Sequence, residues 1–162
     1  MKELYDFDME KGNIVGVDEA GRGPLAGPVV AAAVKINEYH DFFEDINDSK
    51  KLSEKKREML FDKIIAYCHV GVGLATVEEI DEVNILNATF LAMKRALEDI
   101  KKDEIEFTKV LVDGNKLIKG YEGEQEAVVK GDAKSLSIAA ASIIAKVTRD
   151  RIMMINAREY PE

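Results

Sequence analysis

Three apolar runs in this chain end at a carboxylate beside a glycine. Asp18-Glu19 lies between Gly16 and Gly21, Asp113 precedes Gly114, and Asp132 follows Gly131. In open α/β sheets, ligands gather outside the carboxyl ends of the strands, so acids at several such ends converge on one point. Like charges held close must be relieved by a proton or a bound cation. An all-oxygen donor set suits Mg²⁺ or Mn²⁺ better than softer metals. Neighbouring strand residues point to opposite faces, so Asp18 and Glu19 are expected to serve one site only through a bend or bulge. Each acid also has a plainer reading, because Asp-Gly is a common turn and the chain has 31 acids. The pattern alone reaches a cation site and goes no further.

The elements that must position these acids read as one α/β domain. Strands are expected over Asn13–Val17, Pro28–Ile36, Val70–Ala75, Thr108–Val112 and Ala127–Lys130. Pro28–Ile36 is apolar enough to be buried on both faces. Ser53 caps a helix carrying Met59, Leu60, Ile64 and Cys68 at helical spacing. Val77–Val83 and Ile85–Ile100 read as helices, the second with a core stripe of Leu86, Phe90, Met93 and Leu97. Ser135 or Ser137 caps a last helix running to about Tyr160. Its Ala139, Ala140, Ala141, Ser142 and Ala145 suit close approach to the sheet.

Bulk properties narrow the classes without choosing one. A length of 162 residues fits one domain with a sizeable core. The first residues carry acids where a signal peptide needs an apolar run, and no stretch is apolar enough to span a membrane. The single Cys68 has no partner for a disulfide or a Cys-based metal site, which points to a reducing cytoplasm. A net charge of −8 argues against nucleic acid as a partner. That charge is uneven, with Lys50, Lys51, Lys55, Lys56 and Arg57 in one segment and Lys146, Arg149 and Arg151 in another. Gly16, Gly21 and Gly23 do not follow the G-x-G-x-x-G spacing of a dinucleotide loop.

Five colinear segments carry a more specific signal. Val17-Asp18-Glu19-Ala20-Gly21-Arg22-Gly23-Pro24-Leu25-Ala26-Gly27-Pro28 resembles the opening signature of the ribonuclease HII (type 2 ribonuclease H) family. Asp48-Ser49-Lys50-Lys51-Leu52, Val112-Asp113-Gly114, Val129-Lys130-Gly131-Asp132 and the stretch from Ile138 to Arg151 continue it in the family's order. The resemblance implies the ribonuclease H-like fold, a mixed five-stranded sheet flanked by helices. It implies a metal site of Asp18, Glu19, Asp113 and Asp132 that takes two Mg²⁺ or Mn²⁺ ions. The related ribonuclease HIII carries Glu at the fourth position and an extra N-terminal domain, so Asp132 and the short leader favour HII.

The implied activity is hydrolysis of the RNA strand of RNA–DNA hybrids and cleavage 5′ to ribonucleotides embedded in duplex DNA. The ends left are 3′-hydroxyl and 5′-phosphate. In the family, main-chain groups of the turn at Gly21, Arg22 and Gly23 grip the 2′-hydroxyl, while Lys50, Ser142 and Lys146 are candidates for holding the strand backbone. The expected partners are a hybrid duplex or ribonucleotide-containing DNA, without a membrane, and the expected form is a monomer. Family members continue past the Tyr160-Pro161 pair into a segment with a substrate-packing tyrosine, so residues 1–162 are expected to be one catalytic domain lacking it. The metal site should form, with weaker substrate affinity. The alternative is a hybrid-binding fragment with little or no activity.

Overall fold

The computed structural model describes residues 2–22, 26–46 and 51–159. A helix α1 (Glu3–Lys11) leads into β1 (Ile14–Ala20) and β2 (Val29–Lys35). A one-turn helix α2 (Phe43–Ile46) and α3 (Glu54–Tyr67) precede β3 (His69–Ala75). Then come α4 (Val77–Val83), α5 (Ile85–Lys101), β4 (Lys109–Asp113), β5 (Gln125–Val128), a 3₁₀ turn (Gly131–Ala133) and α6 (Leu136–Glu159).

The five strands form one mixed sheet in the order β3-β2-β1-β4-β5. β1 and β3 run antiparallel to β2, while β4 runs parallel to both β1 and β5. Helices cover both faces, as the resemblance implies. On one face, Val15, Val17, Ala31, Ala33, Val110 and Val112 pack against the Ala92, Met93, Ala96, Leu97 and Ile100 stripe of α5. On the other, Ala32 and Val34 meet α6, α3 and α2 through Ala140, Ile144, Leu60, Ile64 and Phe43. β2 is thus buried on both sides, which is why its sequence is an unbroken apolar run.

Small residues set two close approaches. Ala139, Ala140, Ala141 and Ala145 are fully buried, so α6 lies against the sheet through methyl groups. At its first turn, a Cβ on Gly16 of β1 would lie 2.5 Å from the Ser137 carbonyl carbon and the Ile138 nitrogen. Only a glycine admits the helix end there. Of the two serines proposed as its cap, Ser135 takes the position, its hydroxyl accepting from Ile138 N at 3.2 Å.

Three expectations about boundaries change. β1 runs on to Ala20, because Ala32, Ala31 and Val30 of β2 pair with Asp18, Glu19 and Ala20. β5 stops at Val128, and Asp132 sits in the 3₁₀ turn that follows the left-handed Lys130 (φ 55°). The leader before Asn13 is a helix, tied to the far end of the chain through Asp8. That buried carboxylate accepts from Ser135 Oγ at 2.5 Å and from Ser137 N at 2.8 Å. The last helix ends at Glu159, and Tyr160 lies outside the described residues. Among the described residues no helix is long and apolar enough to cross a membrane.

Candidate active site

The acids come together by register, and no bulge is involved. β1 and β4 pair as Val15↔Val110, Gly16↔Leu111 and Val17↔Val112, so the next step places Asp18 beside Asp113. Side chains alternate along a strand. Asp18 shares the face of Ile14 and Gly16, toward α6, and Glu19 shares the face of Val15 and Val17, toward α5. The expected distortion at Asp18-Glu19 is therefore a misreading. The strand stays regular through both residues, and they approach Asp113 from opposite faces where β4 ends.

Asp113 is the hub. Its Oδ1 accepts from Gly131 N at 2.7 Å, which draws the turn carrying Asp132 against the end of β4. A Cβ on Gly131 would sit 2.9 Å from that same oxygen and 2.7 Å from Ile138, so glycine permits the contact. Asp18 and Asp113 face each other closely enough for each carboxyl to act on the other. Asp18 Oδ1 also accepts from Glu19 N at 2.8 Å. Glu19 and Asp113 line one side of a small cleft with Arg22, Asn115 and Lys116, floored by Leu86, Phe90 and Met93 of α5.

Crowding and burial both push these groups toward the protonated form. The Asp18 carboxyl is raised well above the usual carboxylate range, first by burial and then by the charges of Glu19 and Asp113. Glu19 is raised by burial, an effect that the Arg22 guanidinium opposes. Asp113 is raised by burial and by the charge of Asp132. Such a cluster holds its negative charge at a cost, which a proton or a bound cation would relieve. Among the described residues no three His, Cys, Asp or Glu side chains stand close enough to hold a metal ion as they are. The fit lies in the donor chemistry: four carboxylates, all hard oxygen, gathered around one hub.

The other expected residues are placed less centrally. Gly21 follows β1 with φ 109°, a left-handed value that favours glycine, and Arg22 acts on Glu19 by charge. Gly23 and Lys50 lie outside the described residues. Ser142 is half-buried on α6. Lys146, one turn further on, is exposed and ion-paired to Asp150 at 3.1 Å rather than to any of the four acids. It lines an open groove between α3 and α6 with Glu54, Arg57 and Met153. Two buried charged residues were not singled out from the sequence. Asp8 gave no signal, sitting alone in a charged helix. Arg149, buried beside the β1–β2 turn with its Nε donating to Pro28 O at 2.9 Å, looked like part of a basic run.

The family model of ribonuclease HII matches residues 15–162. The chain belongs to the ribonuclease HII family. It is 66% identical over 161 residues to the ribonuclease HII of Fusobacterium nucleatum, covering 98% of this chain and 74% of that protein. Among solved structures it resembles the ribonuclease H2 of Pyrococcus horikoshii, with TM-score 0.75 and 37% identity over 93% of this chain and 78% of that one. Bst-RNase HIII, solved in complex with Mn²⁺, shares the fold at TM-score 0.76 and 19% identity, covering 91% of this chain and 55% of that chain. Ribonuclease HII membership makes the chain a hydrolase of the ribonuclease H class, on the mixed five-stranded sheet described above.

Proposed function

We propose that this protein is a divalent-cation-dependent endoribonuclease that hydrolyses the RNA strand of RNA–DNA hybrids. It also cleaves 5′ to ribonucleotides embedded in duplex DNA, leaving 3′-hydroxyl and 5′-phosphate ends. Asp18, Glu19, Asp113 and Asp132 are the residues that would hold two Mg²⁺ or Mn²⁺ ions. The observation that carries the reading is the register of β1 on β4, which sets Asp18 beside Asp113, together with the Gly131 N–H that draws the Asp132 turn to the same carboxylate. The Mn²⁺ complex of Bst-RNase HIII, a relative in fold, supports the choice of cation.

Cations held by Asp18, Glu19, Asp113 and Asp132 would supply a lowered pKa for an attacking water and offset charge on the leaving 3′ oxygen of an in-line displacement. The chain's own work is then orientation. Asp113, fixed by Gly131, sets the geometry of the acids on both sides of it. Arg22, at the mouth of the cleft, opposes the burial that raises the Glu19 carboxyl. No histidine is needed as a base, and both lie elsewhere: His40 stacks among Phe42, Phe43 and Tyr67, and His69 opens the edge strand β3. The main chain at Gly21, Arg22 and Gly23, free of bulk at its glycines, meets the 2′-hydroxyl that separates RNA from DNA. Lys50, Ser142 and Lys146 contact the strand backbone and supply local positive potential on an acidic protein.

The test is cleavage of a labelled RNA–DNA duplex with Mg²⁺, with Mn²⁺ and with chelator, by the wild type and Asp113→Asn. Cleavage only with cation, lost in the variant, is expected. Full cleavage by Asp113→Asn with cation present would refute the assignment. Binding of hybrids without turnover at any cation concentration would replace it with a binding role.

A further inference from the structure

β4 and β5 run parallel, and a connection between parallel strands usually carries a helix. The crossover from Gly114 to Glu124 carries neither helix nor strand, so its order comes from elsewhere. Gly114 N donates to Val128 O at 2.9 Å, which ties its first residue to the end of β5. Gln125, the first residue of β5, clasps its middle. Gln125 Oε1 accepts from Ile118 N at 2.7 Å, and Gln125 Nε2 donates to Ile118 O at 3.1 Å. One amide, with its acceptor and donor side by side, thus satisfies both main-chain groups of Ile118. The side chain of that residue, 2% exposed, is packed into the core beside α5.

What the clasp holds in place is charge. Lys116, exposed two residues before Ile118, lines the cleft with Glu19 and Asp113. Lys119 follows Ile118, and Lys94 of α5 brings its Nζ over Gly120, where a Cβ would lie 2.9 Å away. Among the described residues none of Lys94, Lys116 and Lys119 is ion-paired, although the chain carries 31 acids against 23 basic residues. The acids of the crossover, Glu122 and Glu124, come after Gly120 on the way into β5. Unpaired lysines that begin at the candidate acids and continue outward are placed to neutralise phosphates.

We propose that the β4–β5 crossover is a docking wall for the substrate duplex, on which Lys116, Lys119 and Lys94 take backbone phosphates. Gln125 is its positioning residue, holding the crossover through Ile118. The proposal rests on the reading above that the substrate is a nucleic-acid duplex. Phosphate contacts position a duplex without reading its sugars, so this wall adds affinity for DNA and for RNA–DNA alike. It lies on the α5 face of the sheet, opposite the α6 face that carries Lys146, and the four acids stand between the two.

The test uses Lys116→Met, Lys116→Arg, the triple variant Lys94→Met, Lys116→Met, Lys119→Met, and Gln125→Leu. Lys63→Met, exposed on α3 across the sheet, is the control for bulk charge. The readouts are kcat and KM on a DNA duplex with one ribonucleotide, the Ki of the same duplex without it, and the slope of log KM against log salt. Lys116→Met should raise KM about three- to tenfold, the scale of one partly exposed charged contact. Its salt slope should shrink by about one, and that of the triple variant by about two to three. The loss should fall on KM rather than kcat, Ki should rise in step with KM, and Lys116→Arg should behave as wild type. Gln125→Leu should raise KM as well, and adding Lys116→Met to it should cost little more, because both changes remove the same contact. If Gln125→Leu does not fold, the exposed lysines carry the test. A salt slope unchanged in the triple variant, or changed as much per lysine by Lys63→Met, overturns the proposal while leaving the substrate reading intact. Additive effects of Gln125→Leu and Lys116→Met overturn the part given to Gln125. A wild type that neither cleaves nor binds either duplex sinks the substrate reading, and the proposal with it.

Discussion

Asp113→Asn should make the protein more stable without cations and less responsive to them. Asparagine keeps the size of the side chain and the oxygen that accepts from Gly131 N, while removing the charge that faces Asp18, Glu19 and Asp132. Two unit charges about 5 Å apart at an effective dielectric constant of about 20 repel by roughly 3 kcal/mol. Partial protonation of the raised carboxyls, the nearby Arg22 and solvent screening already relieve part of this. The expected gain is about 1–2 kcal/mol, or roughly 2–8 °C in Tm for a chain of this size. The sign of the pH dependence follows from the raised pKa values. Asp18, Glu19 and Asp113 bind protons more tightly folded than unfolded, so their contribution is most favourable below the ordinary carboxylate range. It is lost as pH rises through the raised folded values. In chelator, wild-type Tm should therefore fall as pH rises from about 4, and the variant's should fall less. A cation at one hundred times its Kd adds about 2.7 kcal/mol to a protein that binds it, so in Mn²⁺ the wild type should overtake the variant. Thermal unfolding followed by circular dichroism, in EDTA and in Mn²⁺ at pH 5 and 8, reads all of this. A variant less stable than wild type in EDTA, or an equal gain of both in Mn²⁺, refutes the account of a cluster strained by its own charge.

Asp8→Ala strips the acceptor from the Ser135 hydroxyl and the Ser137 N–H in a buried site, and should cost about 2–4 kcal/mol in urea unfolding; less than 1 kcal/mol would count against the tie between α1 and α6. Gly16→Ala drives a methyl group into the first turn of α6, with an overpacking cost of about 1–3 kcal/mol. It should also weaken Mn²⁺ affinity by calorimetry although it touches no acid, and unchanged affinity would show that the helix end does not brace the site. Gly73→Ala meets the α5 main chain at Ala92 O and Ala96 N and should cost about 3 kcal/mol, with KM unaltered in the folded protein. Burial pushes the Cys68 thiol up to about 12, so alkylation at pH 8 should be slow in the native state and fast in denaturant; equal rates would place that thiol at the surface.

Much of this fold is legible in the order of apolar runs, and the misses share a cause. Val29–Val34 announces double-sided burial, and the α5 stripe announces its face, because both depend on residues close together in the chain. The end of β1 is misread because acids beside glycines look like the start of a loop. What extends the strand is its pairing with Val30, Ala31 and Ala32, and pairing is a property of two segments. α1 is missed for the same reason: Glu3–Lys11 is mostly charged, and its hold on the fold is one buried Asp8 reaching the start of α6. The sequence proposes the four acids but not how Asp18 and Glu19 come to stand near Asp113. Alternation sends Asp18 and Glu19 to opposite faces, and a bulge looked necessary to reunite them. The sheet uses a simpler device: β4 stops at Asp113, one step past the last β1–β4 pair. Where a parallel neighbour ends, both faces of the longer strand open onto the same space, so adjacent residues of a regular strand can serve one site. The charges concentrated there are costly to bury, and relief of that cost is what would favour a bound cation. The register that crowds the carboxylates is thus also the reason the site should need a metal.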